Sequence, residues 1–122
     1  MPRMGTQGLT FGTMAYDEDL ANRIRELTAG EHAEEKPMFG GLAFLIGGHM
    51  AVAVSGSGGL MVRVPPDDTA TLTQRKHVEP MVMAGRETRG WVRVSSDGVK
   101  TARQLQSWVG RGIAHARSLP PK

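Results

Sequence analysis

The residues able to do chemistry in this chain are few and scattered. Four histidines, His32, His49, His77 and His115, are the candidate metal ligands or proton carriers. No two of them stand at i, i+4, and no H-E-x-x-H set occurs, so a metal centre has to assemble through long-range folding. Surface or turn histidines are the simpler reading. Cysteine is absent, which excludes disulfides, thiolate nucleophiles and cysteine-bound zinc or iron–sulfur centres. Asp17, Glu18 and Asp19 are consecutive. Consecutive helical side chains diverge, so capping a helix explains these acids better than a shared ligand. Ser55, Ser57, Ser95, Ser96 and Ser107 form no G-x-S-x-G elbow. Gly56, Gly58 and Gly59 lie between two strand patterns and open no helix with Lys and Ser or Thr. They read as a hairpin loop rather than a phosphate or dinucleotide cradle. The expectation is a protein without catalysis, cofactor or metal.

One group of residues does suggest a ligand. Arg75, Lys76 and His77 are followed by Arg86, Arg89, Trp91 and Arg93. Basic grooves with stacking aromatics hold single-stranded nucleic acid, so Arg75, Lys76, Arg86 and Arg89 are a candidate anion surface. Only one aromatic interrupts the stretch, and no recognition-helix or RNP-type motif accompanies it. Charge is also uneven. Residues 14–64 carry seven acids and four bases, and residues 65–122 carry five acids and ten bases, within a formal net charge of +3. Segregated solvated faces account for this as simply as an anionic partner does.

These side chains must be positioned by a small frame. The chain has 122 residues and 13.2 kDa, enough for one domain with a real core. Its densest apolar run, residues 42–46, is far short of the roughly 20 residues that span a bilayer. No membrane association is expected, and the localisation expected is cytoplasmic. Residues 1–13 hold no periodic apolar pattern and no signal-peptide core. They read as a disordered tail or a wrongly assigned start, with Met14-Ala15 as the better one. Residues 14–122 form a single domain.

Apolar Leu20, Ile24 and Leu27 predict a helix over residues 17–29, with Asp17 as N-cap and Gly30 as its stop. A polar loop follows. Two apolar runs, residues 42–46 and 49–54, flank Gly47-Gly48 and predict a tight hairpin. Residues 60–64 predict a third strand, ended by Pro65-Pro66. Residues 67–74 are weakly helical at best, residues 78–84 a short extended piece, and residues 90–95 another strand. Residues 101–118 predict a long amphipathic helix. Its apolar stripe holds Leu105, Trp108, Val109 and Gly112, the glycine implying close packing on the sheet.

This order of features resembles the TfoX N-terminal domain family, the amino-terminal module of Sxy-like competence regulators. The residues that carry the resemblance are Lys36, Met38, Phe39, Gly40 and Gly41, in a K-x-M-F-G-G pattern. Gly48 and Met50 follow in the hairpin, then Leu60 and Arg63 in an L-x-x-[KR] strand, and Leu105, Trp108 and Ala116 in the final helix. The similarity spans residues 14–119. It implies an α/β (α+β) two-layer sandwich similar to secretion-chaperone folds, an antiparallel sheet with amphipathic helices on one face. It also implies a regulatory or interaction module with no established catalysis, and brings no catalytic residues with it. Full-length competence regulators carry a second, carboxy-terminal domain, so the resemblance implies the module and not the competence role.

Strand alternation sorts the sheet residues onto two faces. One parity collects Leu42, Phe44, Ile46, Met50, Val52, Val54, Leu60, Val62, Val64, Val92 and Val94, a layer the helices can cover. The other collects Ala43, Leu45, Ala51, Ala53, Met61, Arg63, Trp91 and Arg93. If no helix covers it, this face exposes apolar surface suited to a protein partner or a homodimer. Met61, Arg63, Trp91 and Arg93 are its candidate contact residues. The alternative is that residues 65–89 cover it in part, with Trp91 packed beneath them and supporting stability.

Overall fold

The computed structural model describes residues 16–38, 40–83 and 85–121. The expectations for residues 1–13, the start at Met14-Ala15 and the motif residue Phe39 lie outside these.

Helix α1 (Glu18–Leu27) opens on Asp17, whose carboxylate accepts the Leu20 N–H at 3.1 Å. Its buried side is Leu20, Ala21 and Ile24. It stops at Thr28, not at Gly30: the Thr28 N–H and hydroxyl both donate to the Ile24 carbonyl. A threonine that can return its hydroxyl to the preceding turn ends the ladder without a left-handed glycine.

The chain then forms β1 (Glu34–Met38), β2 (Gly41–Ile46), β3 (His49–Val54) and β4 (Leu60–Arg63). A short 3-10 turn at Pro66–Asp68 leads into α2 (Thr69–Leu72), followed by β5 (Val78–Met83) and β6 (Arg86–Val94). A second turn at Ser96–Gly98 precedes α3 (Ala102–Ser118). The six strands make one antiparallel sheet in the order β1-β2-β3-β4-β6-β5. β1 corrects the polar loop expected there. All but its last residue are exposed, so no apolar alternation marks it. It and β5, the two edge strands, hold Pro37 and Pro80, prolines being tolerated at edges where no ladder donor is needed. β6 is likewise longer than expected, because its polar start pairs with β5.

The expected hairpin turn forms at Gly47 and Gly48, whose φ angles are 59° and 83°, a conformation that favours glycine. Thr101 and Gln104 form a reciprocal capping box at the start of α3, satisfying two orphan donors.

The main core lies between one sheet face and the helices. Leu42, Phe44, Val52, Val54, Leu60, Val62, Val92 and Val94 meet Leu20 and Ile24 of α1, Leu72 of α2, and Leu105, Trp108 and Val109 of α3. The fold is therefore α+β. One parity assignment needs correction. Phe44 pairs with Val52 but Leu45 pairs with Met50, so β3 has one residue more than β2 at this point. This bulge moves Ala51 to the helix side, where it packs with Ile46 and Ala116, and moves Met50 to the other face. A bulge shifts every assignment beyond it by one residue.

Candidate functional site

The second sheet face is the one surface to which several of the expected residues converge. The registers place Lys36, Ala43, Ala53, Met61, Arg93 and Glu79 in a single row that crosses all six strands. Ala43, Ala53 and Met61 are buried in this row, packed against half-buried Met38, Leu45, Met50, Met81 and Trp91. No apolar residue of α1, α2 or α3 joins that cluster among the described residues. Residues 65–75 turn to the opposite side, with Leu72 in the main core. Of residues 65–89, Met81 of β5 packs into this cluster and covers it in part; among the described residues no other apolar side chain of that segment joins it.

The four residues expected to form a contact surface do come together. Met61 pairs with Arg93 and Arg63 pairs with Trp91 across β4 and β6. The Arg63 guanidinium lies over the Trp91 ring, 5.5 Å from its centroid, a cation–π arrangement that joins β4 to β6 on this face. Arg93 has another task. It donates to Ser57 Oγ at 3.0 Å and to the Gly58 carbonyl at 3.1 Å, clamping the turn between β3 and β4. Strand parity alone missed the contribution of Met38, Met50 and Met81. Four of the eight methionines of the chain, Met38, Met50, Met61 and Met81, lie in this cluster. Thioether side chains are flexible and polarisable, and they suit a surface that adapts to what it binds.

The K-x-M-F-G-G residues have a structural explanation. Gly40 has φ of 75° and turns the chain from β1 to β2. A Cβ on Gly41 would collide with the Val54 carbonyl. Lys36 and Met38 lie on the open face through their pairing with Ala43 and Gly41.

The candidate anion surface does not assemble as one patch. Val78 pairs with Val94 and Met83 with Arg86, so Arg75 and Lys76 sit at one end of β6 and Arg86 at the other. Nine residues of strand at about 3.3 Å each separate the two ends by roughly 25 Å. Arg89 is paired to Asp67 at 3.0 Å. Arg75 and Lys76 instead join His77 and Arg103 around a groove on the helix side.

Titratable groups are shifted mainly by local partners. Arg25 donates to both Glu35 oxygens, at 2.8 and 2.9 Å, tying α1 to β1. This bond holds the Glu35 carboxyl below its usual range, against an opposing effect of burial. His115 is pushed below the ordinary histidine value by burial, with help from the charges of Arg63 and His49 and opposition from Asp68. His49 Nε2 lies 2.6 Å from the Pro120 carbonyl. Among the described residues no group of three or more His, Asp or Glu gathers where a metal ion could be held. Among the described residues no helix is long and apolar enough to cross a membrane.

Comparison with curated proteins finds no match. The chain matches the TfoX N-terminal domain over residues 25–116, from the last turns of α1 to the last turns of α3, and it belongs to that family.

Proposed function

We propose that this member of the TfoX N-terminal domain family is a non-catalytic, cytoplasmic regulatory module that works by binding another protein, either a partner or a second copy of itself, through the open face of its sheet. The observation that carries this reading is the apolar cluster of Met38, Met50, Met61 and Met81 beside Trp91, which no helix residue joins among the described residues. Aromatic and methionine side chains are enriched at the centres of protein interfaces, with charges at the rim. Here Lys36 at one edge and Glu79 at the other are exposed and frame the apolar centre. The half-buried Met38, Leu45, Met50, Met81 and Trp91 leave apolar atoms at the surface of this face, and grouped apolar surface rimmed by charge marks interaction sites. Nucleic-acid binding draws less support, because the basic residues split between two ends of β6 and form no continuous track.

A photo-crosslinking residue placed at Met81 tests the reading, with one at exposed Gln106 of α3 as control. The expected result is a discrete adduct from Met81 alone, either of twice the chain mass or with one partner. Adducts of equal yield from both positions, or a strictly monomeric mass and no adduct from either, would remove the open face from the functional account.

A further inference from the structure

We propose that the groove between residues 75–77 and the first turns of α3 is a binding site for a compact phosphorylated ligand, recognised through a diphosphate group. The groove lies on the helix side, away from the open sheet face, and the inference is independent of the reading above. It has a volume of about 590 Å³ and is lined by Arg75, Lys76, His77, Arg103, Ser107 and Trp108, together with Gly98 and Gln104. That volume suits a small ligand rather than a polymer groove.

No acidic residue lines it. The acid closest in sequence to this wall, Asp97, is engaged by Lys100 at 2.9 Å. Arg75, Lys76 and Arg103 form no salt bridge among the described residues. Two guanidinium groups and one lysine amine without a salt-bridge partner among the described residues therefore share one concave wall, a set that suits the several negative charges of a diphosphate.

The walls are held in place. The Arg75 guanidinium lies 5.1 Å from the Trp108 ring centroid, and stacking leaves its N–H edge free to donate. His77 is in the left-handed region with φ of 69°. Its carbonyl accepts the Ser95 N–H at 2.9 Å. A Cβ on Gly98 would stand 3.0 Å from the His77 Cβ, so the glycine lets the loop sit close. Gln104 is committed to the helix cap, which leaves the cations and the Ser107 hydroxyl as the groups facing the ligand.

The same geometry argues for phosphate rather than nucleobase. The Arg111 guanidinium also lies over the Trp108 ring, at 5.6 Å, and Trp108 is only 6% exposed. A ring so buried, with two guanidiniums already over it, offers little surface for the base stacking on which sequence-tolerant nucleic-acid grooves rely.

Titration of the full chain with sodium pyrophosphate, against sodium sulfate at matched ionic strength, tests the site by calorimetry. Saturable one-to-one pyrophosphate binding is expected. Lys76→Ala with Arg103→Ala should weaken it about tenfold or more, while Arg86→Ala with Arg89→Ala should leave it unchanged. Both pairs change exposed side chains, and if the first pair lowers the melting temperature, Lys76→Gln alone should show the same loss in smaller measure. Absence of saturable binding, or equal weakening by both pairs, overturns the proposal. A single-stranded oligonucleotide forms the second arm. If it binds through Lys76 and Arg103 more tightly than pyrophosphate, the groove is a nucleic-acid backbone site and the small-ligand assignment fails.

Discussion

Gly112 of α3 rests directly on the backbone of Ala51, the extra residue of the bulge in β3. A Cβ at position 112 would run into the Ala51 carbonyl oxygen and the Val52 side chain. The helix therefore reaches the sheet because one strand bulges and one helical residue has no side chain. Gly112→Ala should lower stability by about 1–3 kcal/mol, the usual range for overpacking, although alanine is the better helix former. Gly110, two residues earlier, is exposed and has no atom within 4 Å of its would-be Cβ. Gly110→Ala should raise stability by about 0.5–1 kcal/mol. Thermal melts of the two variants are expected to move in opposite directions. Shifts of the same sign would mean that α3 is not seated on the bulge.

The features legible in the sequence are those with strong local signals. Leu20, Ile24 and Leu27 recur at helical spacing, Gly47-Gly48 can adopt positive φ, and alternation separates Val92 and Val94 from Trp91 and Arg93. Gly112 was legible for the same reason, as a glycine inside an apolar stripe. β1 was not, because an edge strand of Glu, Lys and Pro owes its form to the neighbour it pairs with. The exchange of Met50 and Ala51 was not, because a bulge leaves no mark on an apolar run. Of the candidate site, Met61, Arg63, Trp91 and Arg93 were assembled correctly from parity. Proximity along the chain misled for Arg75, Lys76, Arg86 and Arg89, since the hairpin of β5 and β6 carries the two pairs to opposite ends. Arg103, which joins Arg75 and Lys76, is brought in by tertiary packing of α3.

Trp108 anchors the helix layer. It belongs to the main core cluster and supports Arg75 and Arg111 on its ring. Trp108→Ala should cost about 3–5 kcal/mol, and chemical denaturation should show it as a lower midpoint. An unchanged midpoint would mean that the helix layer does not depend on this ring.

His115 makes stability depend on pH near neutrality. Its folded pKa is below the ordinary value because burial and the charges of Arg63 and His49 disfavour the imidazolium. Below about pH 6.5 the unfolded chain then takes up more protons at this position than the folded one does. Stability should therefore fall as the pH is lowered from about 7 to 5. Denaturation midpoints at several pH values check this, and His115→Asn should flatten the dependence in that window. Glu35 acts lower. Its folded pKa is depressed by Arg25, so its contribution is present above the ordinary carboxylate range and is lost as the pH falls through and below about 4. The two windows are separate, and Glu35→Gln should alter only the acid one.

Trp91 and Arg93 share the open face but should respond differently to replacement. Trp91 is half-buried, stacked under Arg63, and makes no contact with a helix in the core clusters. Its replacement removes apolar surface from a face that no helix residue joins among the described residues. Arg93 holds Ser57 and Gly58, in a turn where Ser55 Oγ also lies 2.9 Å from Ser57 Oγ. Its replacement releases that turn. Trp91→Ser should leave the melting temperature close to that of the parent chain while abolishing the crosslink from Met81, because truncating an interface aromatic removes binding more than it removes core. Arg93→Ser should lower stability by about 1 kcal/mol, the ordinary scale of lost hydrogen bonds, and keep the crosslink. Melting curves together with crosslinking yields of the two single variants separate these effects. If Trp91→Ser instead unfolds the chain, or keeps the full crosslink yield, the ring serves the sheet and not a partner.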